Sequence, residues 1–403
     1  MHFVSVRLFA KLFGVALLSF ANGAEAREFR PLYQFAGGLD GDGSVDRLLL
    51  DNAGNLYGVT TANKDVLGTV FMLSPGGTET VLHAFQYVTG HPSIPVGGVV
   101  MDAAGNLYGE AVNGGAVSCP EINPPNPDCG SVYKLATDGT VTTMHSFQGR
   151  EDGSGPTGGL LIDGAGNLYG TTKFGGLPAT CGNVGCGTVF KIAPNGTKTV
   201  LYNFAGHGDG GRPTGGLIAD AQNNLYGTTT LGGQGYGTIF KLAPNGSETQ
   251  LYAFNGLDGN QPSSGLVLDV SGNLYGTTAA SGNLNNPYGE VFRLSPGGIL
   301  TVLHAFSAGN DGAYPTGGLA IDALGNVFGT ATQGGKGCRS FGCGAIFKIA
   351  KNGTYSQIYL FKGHIAHDPL GGLVADAVGN VYGSAVGPSG NSDDLGMLFE
   401  LLK

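Results

Sequence analysis

The hydrophobic positions of this chain fall into short runs, separated by turn residues, that recur along most of its length. In one stretch the apolar or β-forming runs are Gly159–Asp163, Asn167–Thr172, Gly187–Ile192 and Lys198–Phe204. Glycines and a Pro-Asn-Gly sequence lie between them, and such residues accept the backbone angles that tight turns require. No segment has helical periodicity. The pattern therefore predicts four short antiparallel strands joined as a meander.

This four-strand unit occurs seven times. Each copy is marked by an aspartate followed by two small or polar residues, Gly-Asn or Asn-Asn, an aliphatic residue, Tyr or Phe, and Gly. The seven aspartates are Asp51, Asp102, Asp163, Asp220, Asp269, Asp322 and Asp376. A period of 49 to 61 residues is typical of propellers and repeat arrays. Four strands per period correspond to one propeller blade.

The closing strand of the unit reveals how the two ends of the chain are related. It occurs six times in register, as Glu79–Phe85, Val141–Phe147, Lys198–Phe204, Glu248–Phe254, Leu300–Phe306 and Ser356–Phe361. The seventh repeat ends before its closing strand, whereas Phe29–Phe35 carries the same pattern at the other end of the chain. Because ring closure removes exposed sheet edges, we predict an all-β, seven-bladed β-propeller with four-stranded blades. A β-solenoid is the alternative, but it does not explain this permutation.

The predicted propeller is a single domain over residues 27–403. Its repeats lie near residues 45–85, 96–147, 157–204, 214–254, 263–306, 316–361 and 370–402, the last completed by 29–35. Residues 1–26 are interpreted as a secretory signal, because Arg7 and Lys11 precede an apolar run, Leu12–Phe20, and Ala24–Ala26 resembles a cleavage site. That apolar run is too short to span a bilayer.

Composition agrees with an exported protein. The chain has 20 Lys+Arg against 29 Asp+Glu and a net charge of −9, with no basic cluster. This balance argues against nucleic acid and anionic membranes as partners. No cysteine precedes Cys119 and no anchoring segment is visible near Lys403. We expect a monomer without a membrane span, lipid or C-terminal anchor, that is secreted or located at the cell surface or in the periplasm.

The six cysteines form local pairs in the connections between second and third strands. They are Cys119 with Cys129, Cys181 with Cys186, and Cys338 with Cys343. An even number at short spacing in an exported chain predicts disulfides within loops. A four-cysteine zinc site is the alternative, but it would require pairs from blades that stand far apart.

The connections between second and third strands, together with those between blades, fall on one side of the ring, which we call the loop face. Their lengths vary from Ala62–Leu67 to Val112–Cys129, whereas the opposite turn face carries similar short turns. Variable loops on a repeated scaffold commonly carry binding sites. On the loop face, Thr157, Thr214, Ser263 and Thr316 begin innermost strands, and the inter-blade loops repeat an Asp-Gly at Asp152, Asp209, Asp258 and Asp311. These residues are candidates for a polar ligand site at the channel mouth, with plain turn geometry as the alternative.

One loop has the alternating oxygen ligands of a calcium loop, with Asp40, Asp42, Ser44 and Asp46 as the candidate ligands. It lacks glycine at its sixth position and glutamate at its twelfth, so it is not an EF-hand. Calcium is therefore only a weak candidate, and we expect no other cofactor. The repeated Asp-x-x-Gly-Asn is interpreted as turn capping, because seven aspartates on seven blades cannot share one metal.

The combination of Gly-Gly-Leu, Asp-x-x-Gly-Asn-Leu-Tyr-Gly-Thr-Thr, Gly-Thr-Val-Phe-Lys-Leu and Leu-Tyr-x-Phe resembles the bacterial GloVer tandem repeat of "choice-of-anchor" exported proteins. The similarity extends over the whole chain after residue 26. It implies export and repeat architecture, and no chemistry, since no activity is established for that group. The Asp-x-x-Gly-Asn-Leu-Tyr turn also resembles repeats of NHL and gluconolactonase-like propellers.

Motifs for a serine nucleophile elbow, a phosphate-binding loop and a His-Glu-x-x-His zinc site are absent from the sequence. We therefore expect a secreted, non-enzymatic binding or scaffold module that uses the loop face for a polar ligand such as a glycan, or for a protein. The alternative is a propeller hydrolase or lyase in which Asp152, Asp209 and Asp258 converge at the channel mouth.

Overall fold

A computed structural model describes the chain at residues 27–41, 47–60, 62–63, 65–86, 88, 91–114, 119, 128–176, 181–182, 184–262, 264–281, 287–335, 338, 342–363, 365–387 and 395–403. These residues form a seven-bladed β-propeller. Each blade is a four-stranded antiparallel meander that runs from an innermost strand to an outermost strand. The predicted fold class is confirmed. The predicted signal segment, residues 1–26, lies outside the described residues.

Within the described residues, thirty strands and two 3-10 helices are numbered here in chain order. The strands are β1 (Glu28–Gln34); β2 (Leu49–Leu50), β3 (Leu56–Thr60), β4 (Thr69–Leu73), β5 (Glu79–Ala84); β6 (Ser93–Met101), β7 (Leu107–Asn113), β8 (Ser131–Leu135), β9 (Val141–Ser146); β10 (Ser154–Pro156), β11 (Leu161–Ile162), β12 (Leu168–Phe174), β13 (Thr188–Ile192), β14 (Lys198–Asn203); β15 (Gly211–Pro213), β16 (Ile218–Ala219), β17 (Leu225–Leu231), β18 (Thr238–Leu242), β19 (Glu248–Ala253); β20 (Val267–Leu268), β21 (Leu274–Thr278), β22 (Glu290–Leu294), β23 (Leu300–Ala305); β24 (Ala320–Ile321), β25 (Val327–Ala331), β26 (Ala345–Ile349), β27 (Tyr355–Leu360); β28 (Val374–Ala375), β29 (Val381–Val386) and β30 (Gly396–Leu402). The 3-10 helices are Gly38–Asp40 and Arg150–Asp152. In the third and fourth blades the innermost strand is split, so that β10 and β11 both pair with β12, and β15 and β16 with β17.

The two ends of the chain share the seventh blade. Its strand order is β28, β29, β30 and β1, and the pairing of β1 with β30 runs antiparallel from Glu28 opposite Leu402 to Gln34 opposite Met397. The Phe29 ring stacks on Tyr359 of the sixth blade, with ring centroids 4.3 Å apart. The predicted closure of the ring by an N-terminal strand is confirmed.

A ring of seven aromatic pairs joins each blade to the next. In every pair, the residue after a closing strand meets an aromatic side chain on the third strand of the following blade, edge to face, with centroids 5.1–5.6 Å apart. The pairs are Phe35–Phe71, Phe85–Tyr133, Phe147–Phe190, Phe204–Phe240, Phe254–Phe292, Phe306–Phe347 and Phe361–Phe399. Edge-to-face geometry is favoured by the ring quadrupoles, and these side chains are almost fully buried.

The glycine of the repeated Leu-Tyr-Gly motif makes room for these rings. A Cβ atom at Gly170 would lie 2.5 Å from Cζ of Phe190, and one at Gly276 would lie 2.5 Å from Cζ of Phe292. Contacts of that length do not occur between real side chains, because interiors are already close-packed. The motif is thus explained by packing against the neighbouring strand.

A second contact between blades, at six junctions, pairs a glycine that precedes a third strand with a proline near the start of the next blade. A Cβ atom at Gly187 would lie 2.7 Å from Cδ of Pro213, and Gly237 stands in the same relation to Pro262. Four more junctions repeat the contact: Gly68–Pro95, Gly130–Pro156, Gly289–Pro315 and Gly344–Pro369. The Pro of the repeated Pro-Thr-Gly-Gly sequence therefore packs one blade against the next.

Candidate ligand-binding face

The turn face is built from side chains that satisfy one another. In the third repeat, Asp163 Oδ1 accepts the backbone N–H groups of Ala165 and Asn167, each at 2.9 Å. Its Oδ2 accepts the side-chain amide of Asn167 at 2.8 Å and the hydroxyl of Tyr169 at 3.1 Å. These four hydrogen bonds hold the pKa of Asp163 below its usual value, although partial burial acts in the opposite direction. The carboxylate is fully used within its own turn.

The same network recurs in the other repeats. Asp51, Asp102, Asp220, Asp269 and Asp376 each accept the Asn amide and the Tyr hydroxyl of their own repeat. Asp322 keeps the Asn bond, but its repeat has Phe328 in place of the tyrosine. The interpretation of these aspartates as turn caps agrees with the geometry.

The Asp-Gly aspartates of the inter-blade loops lie at the periphery of the ring, beside the outermost strands. Asp209 Oδ2 accepts the Tyr202 hydroxyl at 2.9 Å and the Ala205 N–H at 2.8 Å. Asp258 accepts the Tyr252 hydroxyl, and Nε2 of His304 lies 3.2 Å from Asp311 Oδ2. The structure therefore separates these carboxylates from the threonines with which they were grouped, and it bonds each to the closing strand of its own repeat.

Asp152 makes the most extensive of these contacts. Nε2 of His145 lies 3.0 Å from its Oδ2, and Nζ of Lys198, from the next blade, donates to its Oδ1 at 2.6 Å and also to its carbonyl oxygen. Partial burial raises the pKa of Asp152, but the hydrogen bonds from His145 and Lys198 and the Lys198 charge outweigh it and bring the pKa to about 2. Burial lowers the pKa of Lys198 in spite of its pairing with Asp152. This ion pair ties the second blade to the third.

We expect Asp152→Asn to destabilise the fold near pH 7 by about 2 kcal/mol, because a shift of one pKa unit corresponds to about 1.4 kcal/mol. The folded pKa lies below the unfolded value, so the contribution is complete above about pH 4 and is lost as the pH falls toward 2. Urea unfolding of both proteins at pH 7, 4 and 2.5 measures this. The control is Glu151→Gln at the exposed neighbouring position. Equal stability of Asp152→Asn and wild type at pH 7 would contradict the assignment.

A groove of about 530 Å³ lies at the junction of the seventh and first blades. Tyr33, Asp40 and Glu79 line it, together with Leu39 and three small or aliphatic residues. Desolvation and, less, the nearby Asp40 raise the pKa of Glu79 to about 7. Glu248 has the same raised pKa, about 7, from desolvation and Asp209. Because a glutamate near an Asp-Gly aspartate occurs in two blades, we regard this pairing as a general feature of the clefts between blades and not as a special site.

The threonines that were predicted to lie at the channel mouth differ in their surroundings. Thr157 and Thr316 are exposed, whereas the hydroxyl of Thr214 is enclosed and has no hydrogen-bond partner in the described structure. Each precedes by two positions a glycine of the innermost strand. The fourth candidate, Ser263, lies outside the described residues.

The innermost ring consists of backbone in six of the seven blades. Gly98, Gly159, Gly216, Gly265, Gly318 and Gly372 occupy one repeat position. The first blade has Arg47 there, in a parallel bridge with Gly372. Sequence reasoning missed this residue, although its departure from the Gly-Gly pattern is visible in the repeat.

The loop face is held by three disulfides. They join Cys119 to Cys129, Cys181 to Cys186 and Cys338 to Cys343, so the predicted local pairing is confirmed. Disulfides form and persist in oxidising compartments, so they are typical of exported proteins. No helix in the described part of the chain is long and apolar enough to cross a membrane.

The candidate calcium loop is described only at Asp40. That carboxylate accepts the Tyr33 hydroxyl at 3.1 Å and the Ala36 N–H at 2.6 Å, as its counterparts do in other repeats. Asp42, Ser44 and Asp46 lie outside the described residues. Among the residues that the structure describes, no group of three or more His, Cys, Asp or Glu side chains is placed to hold a metal ion.

Comparison with known proteins agrees with the repeat architecture. A family model described as the Gloeobacter/Verrucomicrobia repeat matches residues 125–339 and 234–402, two overlapping stretches that together take in more than half of the chain. No curated protein matches the sequence significantly.

Two solved extracellular domains share the fold at low sequence identity, and a third structure has a lower structural similarity. The extracellular domain of a hybrid two component system from B. thetaiotaomicron is 12% identical, with a TM-score of 0.55 over 92% of this chain and 40% of that chain. The extracellular domain of a one component system from the same organism is 13% identical, with a TM-score of 0.54 over 93% and 40%. A gluconolactonase from Xanthomonas campestris is 18% identical, with a TM-score of 0.44 over 76% and 87%.

Proposed function

The chain belongs to the Gloeobacter/Verrucomicrobia repeat family, as its repeated motif predicted, and we propose that it is an exported binding module. Its ligand-binding surface is the mouth of the central channel on the loop face. The ligand is polar, a glycan in first place and a protein as the alternative. The three disulfides of that face support export.

The observation that carries the proposal is the contrast between the two faces. On the turn face, the repeated carboxylates, amides and tyrosine hydroxyls bond to one another, as at Asp163. At the channel mouth, Thr157 and Thr316 are exposed and Thr214 has an unpaired hydroxyl. The exposed side chains of Thr157 and Thr316 are available to a ligand's hydroxyl groups, whereas the enclosed Thr214 hydroxyl and the groups already bonded within a turn are not.

The alternative, a hydrolase or lyase, requires carboxylates that share one cavity. Asp152, Asp209 and Asp258 belong to three different inter-blade loops, and each accepts a hydrogen bond from the closing strand of its own repeat. This arrangement favours binding over acid–base chemistry at the mouth.

We expect the double variant Thr157→Trp and Thr316→Trp to lose binding, because two indole rings at exposed positions fill the mouth without entering the blade interfaces. The purified protein is applied to an array of neutral and acidic oligosaccharides, and the affinity for any glycan retained is measured by calorimetry. Loss of two or more hydrogen bonds is expected to weaken binding by roughly tenfold or more.

The matched control places the same two indoles on the turn face, at the exposed positions Ala165 and Gln222. Both double variants are expected to melt close to the wild-type temperature. Normal binding by the mouth variant, with loss of binding by the turn-face variant, would show that the wrong face has been assigned.

A further inference from the structure

Arg47 is a departure from the repeat that the fold itself does not require. Its position is glycine in each of the other six blades. An arginine side chain differs from glycine by a long aliphatic stem and a permanently charged, planar guanidinium group with five N–H donors. Packing of the innermost strand therefore gives no reason for arginine in one blade alone.

The Arg47 side chain crosses the central channel. Its Cβ and carbonyl oxygen adjoin Gly98 of the second blade, and its backbone pairs with Gly372 of the seventh. Its Nη1 atom lies 3.5 Å from the point that a Cβ atom of Gly216 would occupy, in the fourth blade. In a seven-membered ring the fourth blade stands almost opposite the first, so the guanidinium lies inside the channel.

The ring around this guanidinium is too tight for other side chains at several positions. A Cβ atom would lie 2.5 Å from a backbone oxygen at Gly98, at Gly159 and at Gly216. Among these seven equivalent positions only Arg47 carries a side chain. The innermost ring thus offers one cationic group surrounded by backbone.

The charge of Arg47 is not compensated by the residues that the structure describes, since none of them forms a hydrogen bond or ion pair with it. The side chain is accessible to solvent although protein surrounds it, as expected for a group in a water-filled channel. Desolvation lowers the pKa of Arg47, and no carboxylate among the residues that the structure describes opposes this effect. A cation that has lost part of its hydration and has no counter-charge is stabilised by an anion that reaches it.

A second unsatisfied group lies in the same segment of the fourth blade that Arg47 approaches. The Thr214 hydroxyl is enclosed and unpaired, and Thr214 precedes by two residues the glycine that Nη1 of Arg47 approaches. Thr157 and Thr316, at equivalent positions of other blades, expose their hydroxyls at the mouth. A cation inside the channel and hydroxyls at its entrance together fit a ligand with an anionic end and a hydroxylated body.

We propose that the channel binds the carboxylate of a sugar acid, with Arg47 as the group that recognises the carboxylate and with Thr157 and Thr316 in contact with the sugar hydroxyls. A guanidinium matches a carboxylate in bidentate geometry. One positive charge balances a carboxylate, whereas a phosphate carries about −1.5 to −2 and would leave excess charge in the channel. The inference rests on the proposed function, because the ligand enters from the loop face.

The test uses galacturonate, galactose and inorganic phosphate as probes, with titration calorimetry and melting curves on the purified protein. We expect galacturonate to bind the wild type at least about tenfold more tightly than galactose or phosphate. Arg47→Gly, which gives the first blade the glycine of the other six, is expected to weaken galacturonate binding by roughly tenfold to a hundredfold without lowering the melting temperature. Arg47→Lys keeps the charge but loses the bidentate geometry, so its affinity for galacturonate is expected to lie between those of the wild type and Arg47→Gly.

A spectroscopic measurement reports ligand contact in the wild-type protein itself. The Nε–H resonance of Arg47, assigned by its absence from Arg47→Lys, is expected to shift when galacturonate is added and to stay in place with galactose. The inference is overturned if Arg47→Gly binds galacturonate as wild type does, if the resonance does not move, if phosphate binds more tightly, or if galacturonate does not bind. Neutral glycans that bind wild type and Arg47→Gly equally, and lose binding in Thr157→Trp/Thr316→Trp, would leave the proposed function intact while excluding this ligand class.

Discussion

A chain that lacks residues 27–35 is expected to aggregate, or to melt far below the chain that begins at residue 27. The deletion removes β1 and leaves β30 as an exposed edge of the seventh blade. It also removes the Phe29 ring from its stack on Tyr359 and the Phe35 ring from its contact with Phe71. Loss of two packed aromatic side chains alone costs on the order of 6 kcal/mol, which is comparable to the whole stability of many domains.

A permuted chain provides the matched control. Glu28 lies opposite Leu402, so the end of β30 adjoins the start of β1. In the third blade, residues 193–197 make the corresponding connection between β13 and β14. Moving residues 28–35 behind Leu402 through that Ala-Pro-Asn-Gly-Thr turn would give the seventh blade the connectivity of the other blades.

Differential scanning fluorimetry and size-exclusion chromatography compare the three chains. The permuted chain is expected to recover most of the melting temperature and to elute as the wild type does, because it restores both the strand pairing and the aromatic contacts. Full stability of the chain without residues 27–35 would contradict closure by β1. Failure of the permuted chain alone would point to the new turn.

The fold could be predicted from the sequence because the contacts that determine it are made by residues of the repeated motif. The glycine of Leu-Tyr-Gly is required by the ring that lies against it, as at Gly170 and Phe190. The aspartate of each turn is required by N–H groups within four residues, as at Asp163. Contacts of this kind are local or recur once in each repeat, so they appear in the sequence as a repeated motif.

The candidate site was less predictable because the period gives position along the chain and not distance from the axis. Asp152 and Asp209 come between a closing strand at the periphery and an innermost strand at the channel. The sequence is therefore compatible with a position at the periphery or at the channel. Their partners were nevertheless visible, since His145 and Tyr202 each stand seven residues before the aspartate that they contact. His83, on the closing strand of the first blade, has no such Asp-Gly after it, and burial lowers its pKa.

Arg47 illustrates the opposite case, in which a departure from the repeat carries the information. A ring of identical backbone positions cannot by itself distinguish one ligand from another. One different side chain breaks the symmetry and supplies a charge. The repeat explains stability, and the exceptions to it are where specificity is to be sought.

Replacement of Gly187 by alanine adds one methyl group, and we expect it to lower the free energy of unfolding strongly. Gly187 has a φ of +93°, and a Cβ atom there would lie 2.3 Å from the Thr172 carbonyl oxygen and 2.7 Å from Cδ of Pro213. The backbone angle costs an alanine about 1–2 kcal/mol, and the overlap adds about 1–3 kcal/mol. Thr172 belongs to the same blade and Pro213 to the next one, so relief of the overlap both distorts the third blade and pushes it away from the fourth. Urea unfolding should show a loss of roughly 2–5 kcal/mol.

Two companion variants make the result specific to the junction between blades. Gly237→Ala in the fourth blade meets the Thr229 carbonyl oxygen at 2.3 Å and Pro262 Cδ at 2.7 Å, so it should be destabilised to a similar extent. Gly164→Ala lies on an exposed turn where no atom comes within 4 Å of the added methyl group, and it should unfold as the wild type does. If all three variants unfold together with wild type, the glycine–proline contacts are not what holds neighbouring blades in register. If only Gly187→Ala and Gly237→Ala unfold early, the fold depends on the close approach at this glycine, to a carbonyl oxygen of its own blade and to the proline ring of the next blade.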